Sequence, residues 1–330
     1  MNTAEYLNKW AISYKDDIIN NIMPFWMKYG LDKEHGGVYT CVNRDGSLMD
    51  TTKSVWFQGR FGFIAAYAYN NIEKNPQWLA ASKSCIDFIE AHCFDTDGHM
   101  FFEVTEDGVP LRKRRYVFSE GFAAIAMAEY SLATGEKEYA EKALEIFKRT
   151  QHFLDTPGML EPKYLPAMSS RGHSITMILI NTASRIRMVI DDPVLTEQID
   201  ASIAALRKYF IHPEFKALLE MVGPNGEFID TCNGRVINPG HCIETAWFIM
   251  EEAKYRNWDK DLLQLALQIL DWSWEWGWDK EFGGIINFRD CRNLPAQDYS
   301  QDMKFWWPQT ETIIATLRSE ERRVGKECRS

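Results

Sequence analysis

The run Asn238-Pro239-Gly240-His241-Cys242-Ile243-Glu244-Thr245-Ala246-Trp247 holds the most concentrated set of groups able to move protons. Asn238 suits a helix cap and Pro239 the first helical position, so His241 and Glu244 stand three residues apart on one helix face. An imidazole with a carboxylate neighbour has its tautomer and basicity set for proton transfer near neutral pH. A capped helix with a solvent-facing histidine and an unrelated glutamate fits the same spacing, which leaves both readings open. Gly240 lowers helix propensity and needs a reason beyond helix stability.

A second group lies at Lys53-Ser54-Val55-Trp56-Phe57-Gln58-Gly59-Arg60. An aromatic platform beside a guanidinium and an amide suits a sugar, whose C–H face stacks on a ring while its hydroxyls hydrogen-bond. Core burial of Trp56 and Phe57, with Arg60 a surface charge, is the competing reading. The spacing Lys-x-x-Trp-x-Gln returns at Lys304, Trp307 and Gln309, with Glu311 where the first copy has Arg60. Arg115-x-x-Phe118-x-Glu120 follows it loosely. His173 precedes an apolar helix, while His35, His99, His152 and His212 fall in loops or at helix ends and are expected to be exposed. No H-E-x-x-H, Walker loop, G-x-G-x-x-G or G-x-S-x-G occurs, so zinc proteolysis, P-loop chemistry, dinucleotide binding and serine hydrolysis have no motif behind them.

The elements that position these groups are helices. Apolar residues recur at three- and four-residue spacing near 3–29, 54–72, 78–92, 118–134, 138–153, 173–190, 194–210, 239–256, 259–275 and 305–317. Only short strand-like pieces intervene, at Gly37–Val42, Met100–Val104, Leu218–Val222 and Gly284–Phe288. The loops repeat: Asp32-Lys33-Glu34-His35-Gly36-Gly37-Val38 returns as Asp279-Lys280-Glu281-Phe282-Gly283-Gly284-Ile285, and Phe94-Asp95-Thr96-Asp97-Gly98 as Leu154-Asp155-Thr156-Pro157-Gly158. Repetition at the length of a helical hairpin predicts a closed ring of hairpins, an all-α (α/α)6 barrel with short β-hairpins in its loops. In such a ring Arg60, Glu120, His173, His241 and Glu311 each begin an inner helix and are expected to converge. Ten helices against twelve predict a barrel over 1–317 that is truncated at its C-terminus. Arg318–Ser330 breaks the apolar stripe, and Arg318 through Cys328 can be encoded by a common sequencing-adapter stretch read in frame, so 318–330 is expected to be a non-native scar.

Composition bounds the partners. The chain has 330 residues, 45% of them hydrophobic and 25% charged, enough to bury a sizeable core. A net charge of -10 argues against nucleic acid as a partner. No apolar run has the length of a membrane helix, and the first residues lack the pattern of a signal peptide. Seven cysteines without a C-x-x-C pair argue against a disulfide framework or zinc site, and a cytoplasmic setting is expected.

Asp32 to Cys41, Arg44-Asp45-Gly46, Lys53 to Arg60, Asn238 to Glu244 and Met303-Lys304-Phe305-Trp306-Trp307-Pro308-Gln309-Thr310-Glu311 together resemble the N-acylglucosamine 2-epimerase family, in collinear order from about residue 5 to Leu317. The resemblance implies an (α/α)6 barrel and interconversion of N-acetylglucosamine and N-acetylmannosamine, with relatives acting on cellobiose or mannose. It places Arg60, His241 and Glu311 on catalytic positions and Glu244 on a supporting or sugar-contacting one. Trp56, Gln58, Tyr116, Glu120, His173 and Trp307 are expected to join Glu244 in binding substrate. The family also uses a second catalytic histidine near its C-terminal end, which none of the seven histidines here matches. The implied chemistry opens the sugar ring, removes the C2 proton and returns one to the opposite face, with Arg60 at the developing oxyanion and Glu311 orienting the groups around it. It requires no metal or redox cofactor. ATP as an allosteric activator and a homodimer are further expectations, with a small sugar as partner and neither nucleic acid nor membrane. Two other readings stay open: a glycoside hydrolase using Glu120 with Glu311 as its carboxylate pair, and a sugar-binding module without turnover.

Overall fold

A computed structural model describes residues 2–113, 116–161 and 168–327, with backbone alone for 3 and 321–327. Arg115 therefore lies outside the described residues. Each periodic stretch forms a helix. The first, α1 (Thr3–Asp17), runs through a wider π-type turn at Ile18–Ile22 into α2 (Met23–Tyr29). There follow α3 (Val55–Asn71), α4 (Pro76–His92), α5 (Phe118–Thr134), α6 (Lys137–Asp155), α7 (His173–Arg187), α8 (Pro193–Ala205), α9 (Pro239–Tyr255), α10 (Lys260–Gly277) and α11 (Trp306–Glu327). The last continues past Leu317, where the apolar stripe of the sequence stops. No helix among the described residues is long and apolar enough to cross a membrane.

The chain divides into two compact units, Met1–Lys163 with Arg185–Asp192, and Tyr164–Ser184 with Pro193–Ser330. In the first, α3 packs against α4 and α5, and α5 against α6. Helix α5 is buried on nearly every face, as its run of Ala123, Ala124, Ile125, Ala126, Met127 and Ala128 dictates, and stops at Gly135 in the left-handed conformation (φ 78°). In the second, α9 packs against α10 and α11. Short antiparallel pairs tie its loops: Arg171–Gly172 with Met221–Val222, Ile211–His212 with Ala217–Leu218, and Val236–Ile237 with Arg289–Asp290.

The repeated loop motif is a clamp. In the first copy Asp32 accepts the Glu34 and His35 N–H groups, at 2.9 and 3.1 Å, and the buried Lys53 ammonium at 2.7 Å. Gln58 Oε1 accepts from the Val38 N–H (2.9 Å), and its Nε2 donates to the Val38 carbonyl (2.6 Å). The second copy is the same in kind: Asp279 takes the Glu281 and Phe282 N–H groups and the Lys304 ammonium, while Gln309 makes both bonds to Ile285 at 2.8 Å. Gly37 has φ 72°, and a Cβ there would sit 2.4 Å from Gln58 Oε1, so the amide needs a glycine to reach the loop. The third loop departs further, with Asp95 accepting the Thr96 N–H and Asp97 the His99 N–H. Lys113 grips Asp95 and Asp97, and Glu120 Oε1 accepts from the Met100 N–H (2.9 Å), but Glu120 Oε2 is buried without a hydrogen-bond partner.

These bonds correct two expectations. Gln58 is fully buried and gives both ends of its amide to Val38, so it is a loop clamp and not a sugar contact. Glu120, 1% exposed, gives one carboxylate oxygen to the Met100 N–H and is not presented to a ligand. His99 and His212, expected at the surface, are buried too. His99 stacks on Phe153 at 3.6 Å between ring centroids, because a loop that closes over a helix carries its side chains inward.

Candidate active site

The site in the second unit is built around a residue the sequence does not single out. Glu220 lies where the piece Leu218–Val222 changes partner, between Ala217–Leu218 and Met221–Val222. Its N–H donates to the Val236 carbonyl and its carbonyl accepts from the His173 N–H, both at 3.0 Å. Two neighbouring segments thus fix its backbone. Its carboxylate meets His241, whose Nδ1 is 3.1 Å from both oxygens. The only sequence signal is a single carboxylate interrupting Leu218-Leu219 and Met221-Val222.

His241 is placed by its helix start. The Asn238 side chain accepts from the His241 N–H at 3.1 Å, and Pro239 occupies the first turn of α9, as the motif predicts. Burial alone pulls this imidazole below its ordinary value. The charge and hydrogen bond of Glu220, with the charges of Glu244 and Glu311, outweigh burial and raise it. Burial likewise pushes the Glu220 carboxyl up, and the two imidazoles of His241 and His173 hold it far below the usual carboxylate range. His173 is fully buried, with Nε2 2.9 Å from Thr245 Oγ1 and Nδ1 3.6 Å from Glu220 Oε2.

Gly240 has its reason in Trp307: a Cβ on Gly240 would lie 2.4 Å from the indole Cη2. The Trp307 ring therefore lies against the first turn of α9, 5.4 Å from the His241 ring centroid. Glu311 Oε2 accepts from the Trp247 indole N–H at 2.7 Å, so this carboxylate orients an aromatic ring one turn beyond Glu244. Ligand atoms of His173, Glu220 and His241 lie within 4.8 Å of one another, a spacing a cation can also exploit. The bond between His241 and Glu220 is imidazole to carboxylate, an arrangement able to move protons.

The other expected residues belong to the first unit. Trp56 is half-buried among Phe102, Phe118 and Phe122, at ring distances of 5.4, 5.2 and 5.8 Å, which is aromatic packing. Arg60 is exposed, its guanidinium 4.4 Å from the Phe122 ring centroid. Gly59 makes that approach possible, since a Cβ there would be 2.6 Å from the Phe122 backbone carbon. Tyr116 is half-buried beside Phe118 and lines a cleft of about 710 Å³ with Asp97, His99, Arg112 and Lys113.

The model of the family described as N-acylglucosamine 2-epimerase (GlcNAc 2-epimerase) matches residues 37–329. The N-acylglucosamine 2-epimerase of Rattus norvegicus is 30% identical over 312 residues, covering 91% of this chain and 73% of its own length. That of Homo sapiens is 30% identical over 322 residues, covering 95% and 75%. Among solved structures, a cellobiose 2-epimerase from Bacillus thermoamylovorans superimposes with a TM-score of 0.83 at 19% identity, over 96% of this chain and 83% of that one. That likeness shows the fold, the (α/α)6 barrel expected from the hairpin repeat. The chain belongs to the N-acylglucosamine 2-epimerase family.

Proposed function

We propose that this isomerase interconverts N-acetylglucosamine and N-acetylmannosamine, with His241 removing the C2 proton from the open-chain sugar. The observation that carries the reading is the pairing of His241 Nδ1 with Glu220 at 3.1 Å, which leaves Nε2 as the basic nitrogen. In the open chain the C2 proton is α to the C1 aldehyde, so its removal leaves an enediolate whose negative charge rests on oxygen. Return of a proton to the other face inverts C2. A raised imidazole is a stronger base for the first step and a competent acid for its reverse. Trp307, pressed against the first turn of α9, offers an aromatic face for the sugar's C–H groups. Arg60 at the enediolate oxygen is part of the same proposal on the family resemblance.

The relatives' names support a sugar 2-epimerase. The hydrolase reading loses its pair of carboxylates, because Glu120 is buried on the Met100 N–H and Glu311 holds the Trp247 indole. Turnover without added metal, ATP as an activator, a homodimer and a cytoplasmic setting belong to this proposal as well. Following the anomeric protons by NMR from either pure sugar tests it. The expected result is one common mixture reached from both sides. Release of monosaccharide from a disaccharide, with neither N-acetyl sugar altered, would overturn it.

A further inference from the structure

Glu220 belongs to neither loop repeat nor helix, yet its backbone is fixed on both sides and its carboxylate meets two imidazoles. An ionised carboxylate only accepts hydrogen bonds, so the 3.1 Å contacts require the proton of neutral His241 to sit on Nδ1. Free imidazole in water populates both tautomers. Here one is selected, and the nitrogen left bare is Nε2.

The neighbour on the other side is set just as definitely. Thr245 donates its single hydroxyl proton to the His241 carbonyl at 2.8 Å, one turn back along α9. Its oxygen therefore accepts from His173, which puts a proton on His173 Nε2 and turns Nδ1 towards Glu220 Oε2 at 3.6 Å. That Nδ1 is buried and makes no hydrogen bond, so the His173 side chain is held through Nε2 and Thr245 and not through the carboxylate. The Phe210 ring, 5.8 Å away, packs against His173. Glu244 on α9 and Glu311 on α11 also act on His241 by charge, but Glu220 is the acid with both oxygens at bonding distance from it.

We infer that Glu220 is a positioning residue for the reaction: it fixes the His241 tautomer so that Nε2 faces the C2 proton. The inference rests on the reading of His241 as the C2 base. Glu220 does not need to touch the sugar for this role.

Long-range nitrogen NMR of the ¹⁵N-histidine-labelled full chain reads the tautomer directly. Neutral His241 in the parent is expected to carry its proton on Nδ1. Glu220→Gln can offer an amide N–H to Nδ1, so its His241 is expected to move to the Nε2–H form. Its kcat is then expected to fall by about a hundredfold or more with KM changed only a few-fold. Should Glu220→Gln not fold, the parent spectrum still decides. An Nε2–H His241 in the parent overturns the inference, as does a folded Glu220→Gln with parental kcat. An Nδ1–H His241 in a chain that turns over neither N-acetyl sugar would instead remove the proposed function and leave the tautomer assignment standing.

Discussion

Glu120 and Arg60 show how much a residue's meaning depends on partners far along the chain. Glu120 sits where two sister loops have glutamine, and its Oε2 is buried without the bond that Gln58 Nε2 and Gln309 Nε2 make. A buried polar atom left unsatisfied costs roughly 1–3 kcal/mol. Glu120→Gln is therefore expected to melt at or above the parental temperature and to retain turnover, measured by calorimetry and by NMR assay. A folded Glu120→Gln that has lost turnover would return Glu120 to the chemistry. Arg60→Lys keeps the charge and loses the planar fork over Phe122. If Arg60 holds the enediolate oxygen, kcat falls by about a hundredfold, and a mild effect would demote it to a surface charge. Both residues stood out in sequence by type and spacing. Their tasks did not, because a clamp and a ligand contact use the same side chains and only the partner, 20 residues away for Glu120, separates them.

At the scale of elements, the periodic stretches gave the helices well, since each buries one apolar face and several carry their own caps. Asn75 and Pro76 start α4, Asn238 and Pro239 start α9, and Asp259 caps α10. The loop repeat was legible as a repeat, and its two full copies fold alike down to the glutamine bonded to Val38 and Ile285. The short strands were less legible. Leu218–Val222 reads as one strand, yet it is split at Glu220, whose N–H pairs with Val236 in a segment without strand periodicity. Glu220 was hidden for the same reason. Gly240, by contrast, was marked in the sequence by its cost to the helix, and Trp307 explains it. Gly240→Ala must displace that indole, which is expected to cost about 1–3 kcal/mol in denaturant unfolding and to weaken sugar binding. An alanine variant of parental stability with the parental KM would contradict the packing described.

For the whole molecule, acid sensitivity follows from the buried clamp of Asp32 and Lys53, whose side chains are 1% and 0% exposed. Burial works to raise the Asp32 carboxyl, but the Lys53 bond and the His35 and Glu34 N–H groups bring it below its ordinary value. A depressed carboxyl stabilises the fold fully above its unfolded value, about 3.9, and the contribution is lost as pH falls through the folded one. Lys53→Met leaves that carboxylate buried without its cation, and is expected to lose about 3–5 kcal/mol at neutral pH. Its stability should also fall less steeply with acid than the parent's. Urea titrations across the acid range measure both, and equal slopes would show the pair to be inert.

The family, the barrel and the helix starts all direct attention to one proton on one carbon. Incubating the chain with N-acetylmannosamine or N-acetylglucosamine in deuterium oxide, beside His241→Asn, reads that proton directly. Asn occupies a capped helix start without an imidazole, so the fold is kept and the base removed. Deuterium is expected to enter C2 with the parent and to fall by about 10²- to 10⁴-fold with His241→Asn. Conversion of either sugar with C2 still carrying its original proton, or parental exchange by His241→Asn, would contradict the assignment of His241 as the base.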